Sequence, residues 1–328
     1  MILQPKRLSD PTARRSAGYT TTPEYESVMT FDINHRGGWR HDPDEVARTL
    51  AGMPRPLFAA SAPGVAGSGA GKTVLLYKAF KEVNGGRYID YPAQTIGDCV
   101  SQGFGHGIDL LEAVQISIGK QAEAFRQTAT EAIYGMARVD IGGERGSFSD
   151  GAVGAWGAKA VSTLGTVSRD LLGPYDGQRA KVWGANGVPI DVMRMASTHK
   201  VRTTSLVTTY EQLEDALANG YPVTVCSDQG FNLDRDADGF CLAQGSWGHC
   251  MLIVGVRAGE RPGACIFQSW GNDVPAGPLA LDQPPNSFWA ERSVVETMLA
   301  LEDSWSISSF EGYPVQSLPA RWTYDGFA

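Results

Sequence analysis

The stretch GDCVSQGFGHG, residues 97–107, sets one cysteine, one aspartate and one histidine among four glycines and runs directly into IDLLEAVQI, residues 108–116. The second part has helical spacing, with Ile108, Leu111 and Gln115 on one face and Leu110 and Val114 beside it. Asp98 is a favoured N-cap residue, which predicts a helix that opens at Cys99. Gly103, Gly105 and Gly107 are poor helix formers. They are tolerable where a helix lies tightly against other backbone, as in the middle of a two-lobed molecule. A cysteine on the first turn sits at the positive end of the helix dipole, which favours its thiolate, and its N–H can bind an oxyanion. The plain structural alternative is a small buried thiol.

The rest of the chain weighs those two readings. Its 328 residues suffice for a large core, in one big domain or two lobes, and 42% hydrophobic with 20% charged residues is ordinary for a globular protein. A net charge of −8 gives no electrostatic footprint for nucleic acid. No apolar stretch is long enough to span a bilayer, and MILQPKRLSDPTARR lacks the apolar centre of a secretory signal. Cys99, Cys226, Cys241, Cys250 and Cys265 are odd in number, widely spread and free of any C-x-x-C pair. Reduced thiols in a cytoplasmic or virion setting are expected, with neither a disulfide framework nor a zinc site.

Residues 1–72 are rich in Pro, Gly, Thr and Arg and carry one candidate helix, DPDEVARTLAGM, capped by Asp42 or Asp44. They read as an extended arm that leans on a partner or sister subunit rather than filling a cleft. From residue 73 a folded domain is expected. Helices are predicted at 74–83, 99–116, 125–137, 150–164, 187–196 and 210–218, and strands at 201–207, 222–227, 250–257 and 264–269. Helices first and strands later, with little βαβ alternation, indicate an α+β fold with a helical half and a β half.

A thiolate nucleophile needs a base. His35 and His41 lie in the arm, His199 sits in the polar segment STHKVR, and His106 is about 10 Å along the same helix from Cys99. His249 remains, in GSWGHCMLIVGVR, where a turn feeds an apolar strand. A third piece, CIFQSWGND at 265–273, is a short strand ending in Gln268, Ser269 and Trp270.

Cysteine on a helix start, histidine on a strand start and an amide ending the next strand resemble the papain-like cysteine peptidases. Further segments are similar in order: GSFSDGAVGAWGAKAV and LLGPYD, EQLEDALANGYPVTVCSDQGF, and NSFWA at 286–290. The resemblance covers about residues 85–295. It implies a two-lobed papain-like fold, with a helical lobe over about 76–200 and a β lobe over about 201–320. It implies a thiol hydrolase acting on a peptide or amide bond of a peptide or protein substrate, with no cofactor required. Cys99 would be the nucleophile, His249 the base, Gln268 the residue orienting the imidazole, Trp270 its shield and Gln94 the second oxyanion donor beside the Cys99 amide. The chain departs from the family pattern at Gln268, where Asn is usual, at Val100, where an aromatic is usual, at Gln94, one residue closer to the nucleophile than usual, and at Asp98, whose charge opposes a thiolate. These departures, with an arm too poor in helix to imitate an inhibitory propeptide, support a second expectation. It is a structural subunit of an assembly, such as a phage virion, on a papain-like scaffold of little activity.

Two other signals compete. AGSGAGKT at 66–73 fits a relaxed phosphate loop but lacks the buried parallel strand such a loop requires, so a hinge is expected. DRDADG at 234–239 matches the first half of a calcium loop through Asp234, Asp236 and Asp238, without the closing glutamate. Structural calcium there would stiffen the chain just before His249.

Overall fold

A computed structural model describes residues 37–119 and 124–325; the remaining residues lie outside the described ones, including the first half of the expected arm. The first half is helical, apart from one strand: α1 (Pro43–Ala51), α2 (Phe58–Ser61), β1 (Lys72–Leu75), α3 (Lys78–Val83), α4 (Cys99–Ser117), α5 (Thr130–Gly135) running into a π-helical turn at Met136–Ile141, α6 (Gly154–Thr163), α7 (Arg169–Leu172), α8 (Gly177–Asn186) and α9 (Ile190–Ala196). The second half is mostly strand: β2 (Thr203–Leu206), α10 (Tyr210–Ala218), β3 (Val223–Phe231), β4 (Ala243–Arg257), β5 (Gly263–Phe267), β6 (Ser287–Glu291), α11 (Arg292–Leu299), β7 (Trp305–Ser308) and β8 (Thr323–Asp325). The strands form one antiparallel sheet in the order β2–β7–β3–β4–β1–β8, with β5 and β6 branching from β4.

The helical and β halves meet along α4 and β4. Cys99 through Gly107 are all buried, polar Ser101, Gln102 and His106 included, so the front of α4 is enclosed all round, as a central helix is. Its glycines permit the contact: a side chain at Gly103 would come within 2.9 Å of the Cys250 sulfur on β4. This places the start of α4 against the His249–Cys250 step of the longest strand.

Residues 37–72 of the expected arm belong to the same compact unit as the chain that follows. Trp39, Val46, Phe58 and Val65 are buried, and β1, whose last two residues Val74 and Leu75 the sequence predicts to open a helix, pairs with β4 and β8. The phosphate-loop-like segment before β1 already holds an anion of its own. The N–H groups of Gly67 and Gly69 donate to the Asp215 carboxylate at 2.9 Å each. In the acidic loop expected to hold calcium, Asp236 and Asp238 pair with Arg261 at 2.7 and 3.3 Å, and no metal-holding cluster occurs among the described residues. Asp234 lies opposite Ala276 in a backbone bridge made by its neighbours, with Arg235 N–H donating to Ala276 O and Ala276 N–H to Leu233 O at 2.8 Å each.

Candidate active site

Cys99 opens α4 and His249 lies on β4, and both are fully buried. The Cys250 N–H donates to the Cys99 sulfur at 3.4 Å, so the residue next to His249 touches the thiol. Asp98 does not cap the helix as its position predicts. Its side chain turns inward, where Oδ2 accepts from Gln102 at 2.9 Å and from the Tyr175 hydroxyl at 3.1 Å. Burial raises its pKa to about 7, so its charge beside the thiol is partly suppressed at neutral pH. Tyr175 is held in place by a buried clamp in which Glu131 accepts from Arg169 (2.7 Å), Arg179 (2.6 Å) and the Asp176 N–H (3.0 Å).

The imidazole is covered by Trp270, whose ring stacks on it at 4.3 Å and 19°. Gln268 departs from the expected arrangement. Its Nε2 donates to Val274 O, and its Oε1 accepts from the Trp270 N–H. It thereby fixes the turn that carries Trp270 and does not bond His249, neither of whose ring nitrogens has a hydrogen-bond partner among the described residues. Asn272 donates to Asp90 at 2.7 Å. Gln94 is buried and tied across the cleft: its Nε2 donates to Ile96 O at 2.8 Å, its Oε1 accepts from Ser269 Oγ, and its backbone N–H donates to Ser269 O at 2.8 Å.

The cleft is filled by the chain itself. Residues 37–40 run between the two walls: the Gly38 and Trp39 N–H groups donate to Gly248 O at 2.8 and 3.2 Å, Ala152 N–H to Gly38 O at 2.8 Å, and Arg40 N–H to Ala152 O at 3.0 Å. The Gly38 N–H also faces the Cys99 sulfur. Trp39 inserts its indole beside α6 and donates to Asp303 Oδ2 at 2.7 Å. The expectation that the arm leaves the cleft open is therefore corrected. An extended glycine pair makes an approach too close for side chains, since a Cβ on Gly37 would stand 2.7 Å from Gly248 O. The composition that argued against an inhibitory helix is what lets the segment lie flat.

In this closed form the pair is uncharged. Burial pushes the Cys99 thiol well above its ordinary value, with Cys250 adding to the effect, and burial lowers His249 to about 3. A cavity of about 590 Å³ lies elsewhere, along the far half of α4 between Leu111, Val167, Met195 and Lys200, and contains none of these residues. Sequence reasoning missed Gly38, Trp39, Tyr175 and Asp303. GGW at 37–39 carried the available signal, a large aromatic after two glycines in a segment otherwise poor in core residues.

A helical lobe and an antiparallel β lobe meeting at a cysteine helix and a histidine strand define the papain-like fold. Among solved structures the chain is similar to xylellain, a cysteine protease from Xylella fastidiosa, at 18% identity and a TM-score of 0.57, covering 87% of this chain and 100% of that one. It is also similar to proCathepsin B S9 from Trypanosoma congolense, at 11% identity and a TM-score of 0.53 over 84% of this chain and 86% of that one. The digestive procathepsin L 3 of Tenebrio molitor larval midgut matches at 14% and 0.52, over 84% and 77%. At these identities the likeness is one of fold. No family description and no curated protein matches the sequence. Among the described residues no helix is long and apolar enough to cross a membrane.

Proposed function

We propose that the chain is a cysteine-peptidase-like thiol hydrolase held shut by its own residues 37–40. The observation that carries this reading is the bonding of an extended peptide along both walls of a groove, directly over Cys99. A groove that holds one extended chain there can hold another. With the segment withdrawn, water reaches the pair, the desolvation that keeps it neutral falls away, and the first turn of α4 favours the thiolate. His249 takes the thiol proton and Cys99 Sγ attacks the carbonyl carbon. The C–N bond then breaks, and His249 returns the proton to the leaving amine. His249 next deprotonates a water that hydrolyses the thioester, releasing the acid and restoring the thiol. The Cys99 N–H opens its helix without an intrahelical acceptor and serves the oxyanion, with Gln94 as the second donor. Trp270 shields the imidazole, and Gln268 acts on it only through Trp270. Two of the similar structures are pro-forms by name, which agrees with a closed precursor.

The test is cleavage of a mixed peptide pool by the full-length Gly38→Ala chain, whose segment no longer fits, against the same chain carrying Cys99→Ala. Cleavage lost with Cys99 supports the hydrolase. No cleavage while Cys99 still reacts with iodoacetamide would favour the second reading, an assembly subunit of little activity on this scaffold. The observation favouring that reading is the lack, among the described residues, of any acceptor for His249.

A further inference from the structure

Three of the five buried cysteines lie together where the start of α4 rests on the sheet. Cys226 on β3 and Cys250 on β4 are Cα partners in the antiparallel register, so their side chains leave the same face. Directly opposed residues in such a pair stand about 4.5 or 5.5 Å apart at Cα, and a disulfide spans about 4.4–6.8 Å. That face is the one α4 covers. A side chain at Gly107 would meet Leu252 at 3.2 Å and Thr224 at 3.7 Å, and one at Gly103 would meet the Cys250 sulfur at 2.9 Å. Cys99 stands one helical turn before Gly103, about 5–6 Å away between Cβ positions. Its sulfur already accepts the Cys250 N–H at 3.4 Å. The thiols therefore run in the order Cys99, Cys250, Cys226. Burial pushes Cys226 well above its ordinary value, and the Cys250 thiol adds to the effect. Of the three, Cys99 is the one that withdrawal of residues 37–40 uncovers, so an oxidant reaches the other two through it.

We infer that Cys226 and Cys250 are a disulfide-forming site that takes oxidation off Cys99. The oxidant is a hydroperoxide. The Cys99 sulfur takes its terminal oxygen and becomes a sulfenic acid; the O–O bond breaks, and the thiol proton leaves with the alcohol, or with water from hydrogen peroxide. The Cys250 sulfur then attacks the Cys99 sulfur, and the departing hydroxide takes the Cys250 proton and leaves as water. Cys226 next attacks the Cys250 sulfur, the Cys99–Cys250 bond breaks, and the Cys226 proton passes to Cys99. The electrons that reduce the hydroperoxide thus come from Cys226 and Cys250, which end as a disulfide across β3 and β4, while Cys99 is again a thiol. The exchange runs in a dry core where thiols ionise poorly, so it takes on the order of minutes to hours. An exposed thiol without such a pair goes on to sulfinic acid, which thiols do not reverse. The inference rests on the same withdrawal of residues 37–40 as the hydrolase reading, but on no peptide cleavage.

The test uses the full-length Gly38→Ala chain, fully reduced and then given hydrogen peroxide in an amount equal to the protein, with iodoacetamide labelling and disulfide mapping over time. Labelling of Cys99 is expected to be lost at first and to return without added reductant, as Cys226 and Cys250 become linked and Cys241 and Cys265 stay free thiols. With Cys226→Ala added, the Cys99–Cys250 disulfide should persist until dithiothreitol is supplied. With Cys250→Ala added, the sulfenic acid at Cys99 should persist and be trapped by dimedone. With Cys99→Ala added, Cys226 and Cys250 should stay reduced over the same time. Thermal melts check that these variants fold, and the mapping of the chain with all its cysteines stands without them. Oxidised Cys99 beside free Cys226 and Cys250 would overturn the inference, as would no reaction at Cys99, or equally fast linkage of the pair in the Cys99→Ala chain. A chain that links the pair but cuts no peptide would sink the hydrolase alone. One that cuts peptides and stops at an oxidised Cys99 would sink the disulfide site alone.

Discussion

Replacing Gly38 by alanine tests whether the segment over Cys99 closes the site. A methyl there would overlap the Gly97 carbonyl and stand 2.8 Å from Gly97 Cα, against the roughly 3.5–4.0 Å that carbon atoms keep. Gly97 cannot retreat, because it leads directly into the buried start of α4 and its N–H is held by Asp150 at 3.1 Å. Residues 37–40 must give way instead, losing the bonds to Gly248 O (2.8 Å), Ala152 O (3.0 Å) and from the Ala152 N–H (2.8 Å). At about 1 kcal/mol net for each, the docking weakens by about 3 kcal/mol, a factor on the order of 100 in the open population. All five cysteines are buried in the parent chain, so iodoacetamide should label none of them quickly. In Gly38→Ala, peptide mapping should find Cys99 labelled about 100-fold faster, with Cys226, Cys241, Cys250 and Cys265 unchanged. Equal acceleration at all five would mean global loosening. No acceleration at Cys99, with the melting temperature intact, would refute the idea that this segment covers the thiol.

Other consequences are measurable on the same preparations. Asp98 has a folded pKa of about 7 against about 3.9 unfolded, so the fold holds a proton that the unfolded chain has released, and stability falls as pH rises from about 4 to 7. The difference is at most about 4 kcal/mol, so Asp98→Asn should gain stability relative to the parent through that window and level off above it; a gain that shrinks with rising pH would contradict this. Deleting residues 1–72 removes buried Trp39, Val46, Phe58 and Val65, each contributing about 1.5–3 kcal/mol, which together rival a whole domain's stability. The shortened chain is therefore expected to be insoluble or unfolded by circular dichroism, and a cooperative melt near the parent's would show that these contacts matter little. Millimolar calcium should leave the melting temperature unchanged, because Arg261 already satisfies Asp236 and Asp238; an upward shift that grows with calcium concentration would restore the ion site.

The fold was legible where local pattern and packing agree. The helix from Cys99 and the strand through CMLIVGV are long, periodic and buried, and their order carried the resemblance. Reading failed where a residue's meaning comes from a distant partner. Val74 and Leu75 look like the start of a helix until β4 and β8 flank them, and Asp98 looks like a cap until Gln102 and Tyr175 turn it inward. Asp236 and Asp238 look like metal ligands until Arg261 arrives from a later loop. Gln268, Gln94 and Trp270 were legible as a cluster but not in their bonds, since a side-chain amide can turn to several acceptors and only the fold decides among them.

The same rule explains residues 37–40. Glycine and proline richness argues against a helix and against a core, and both inferences hold for those residues alone. It says nothing about a flat strand that borrows hydrogen bonds from Gly248 and Ala152 and anchors one indole on Asp303. A helical plug must carry its own folding information and so announces itself in sequence. A strand plug takes its order from the cleft it fills, and its signature is divided between the glycines that let it approach and the walls that receive it. The carboxylate of Asp303 sits at the end of that division: in sequence it is one acid in LEDSW, and only the indole donating to it marks it as part of the wall that holds the segment.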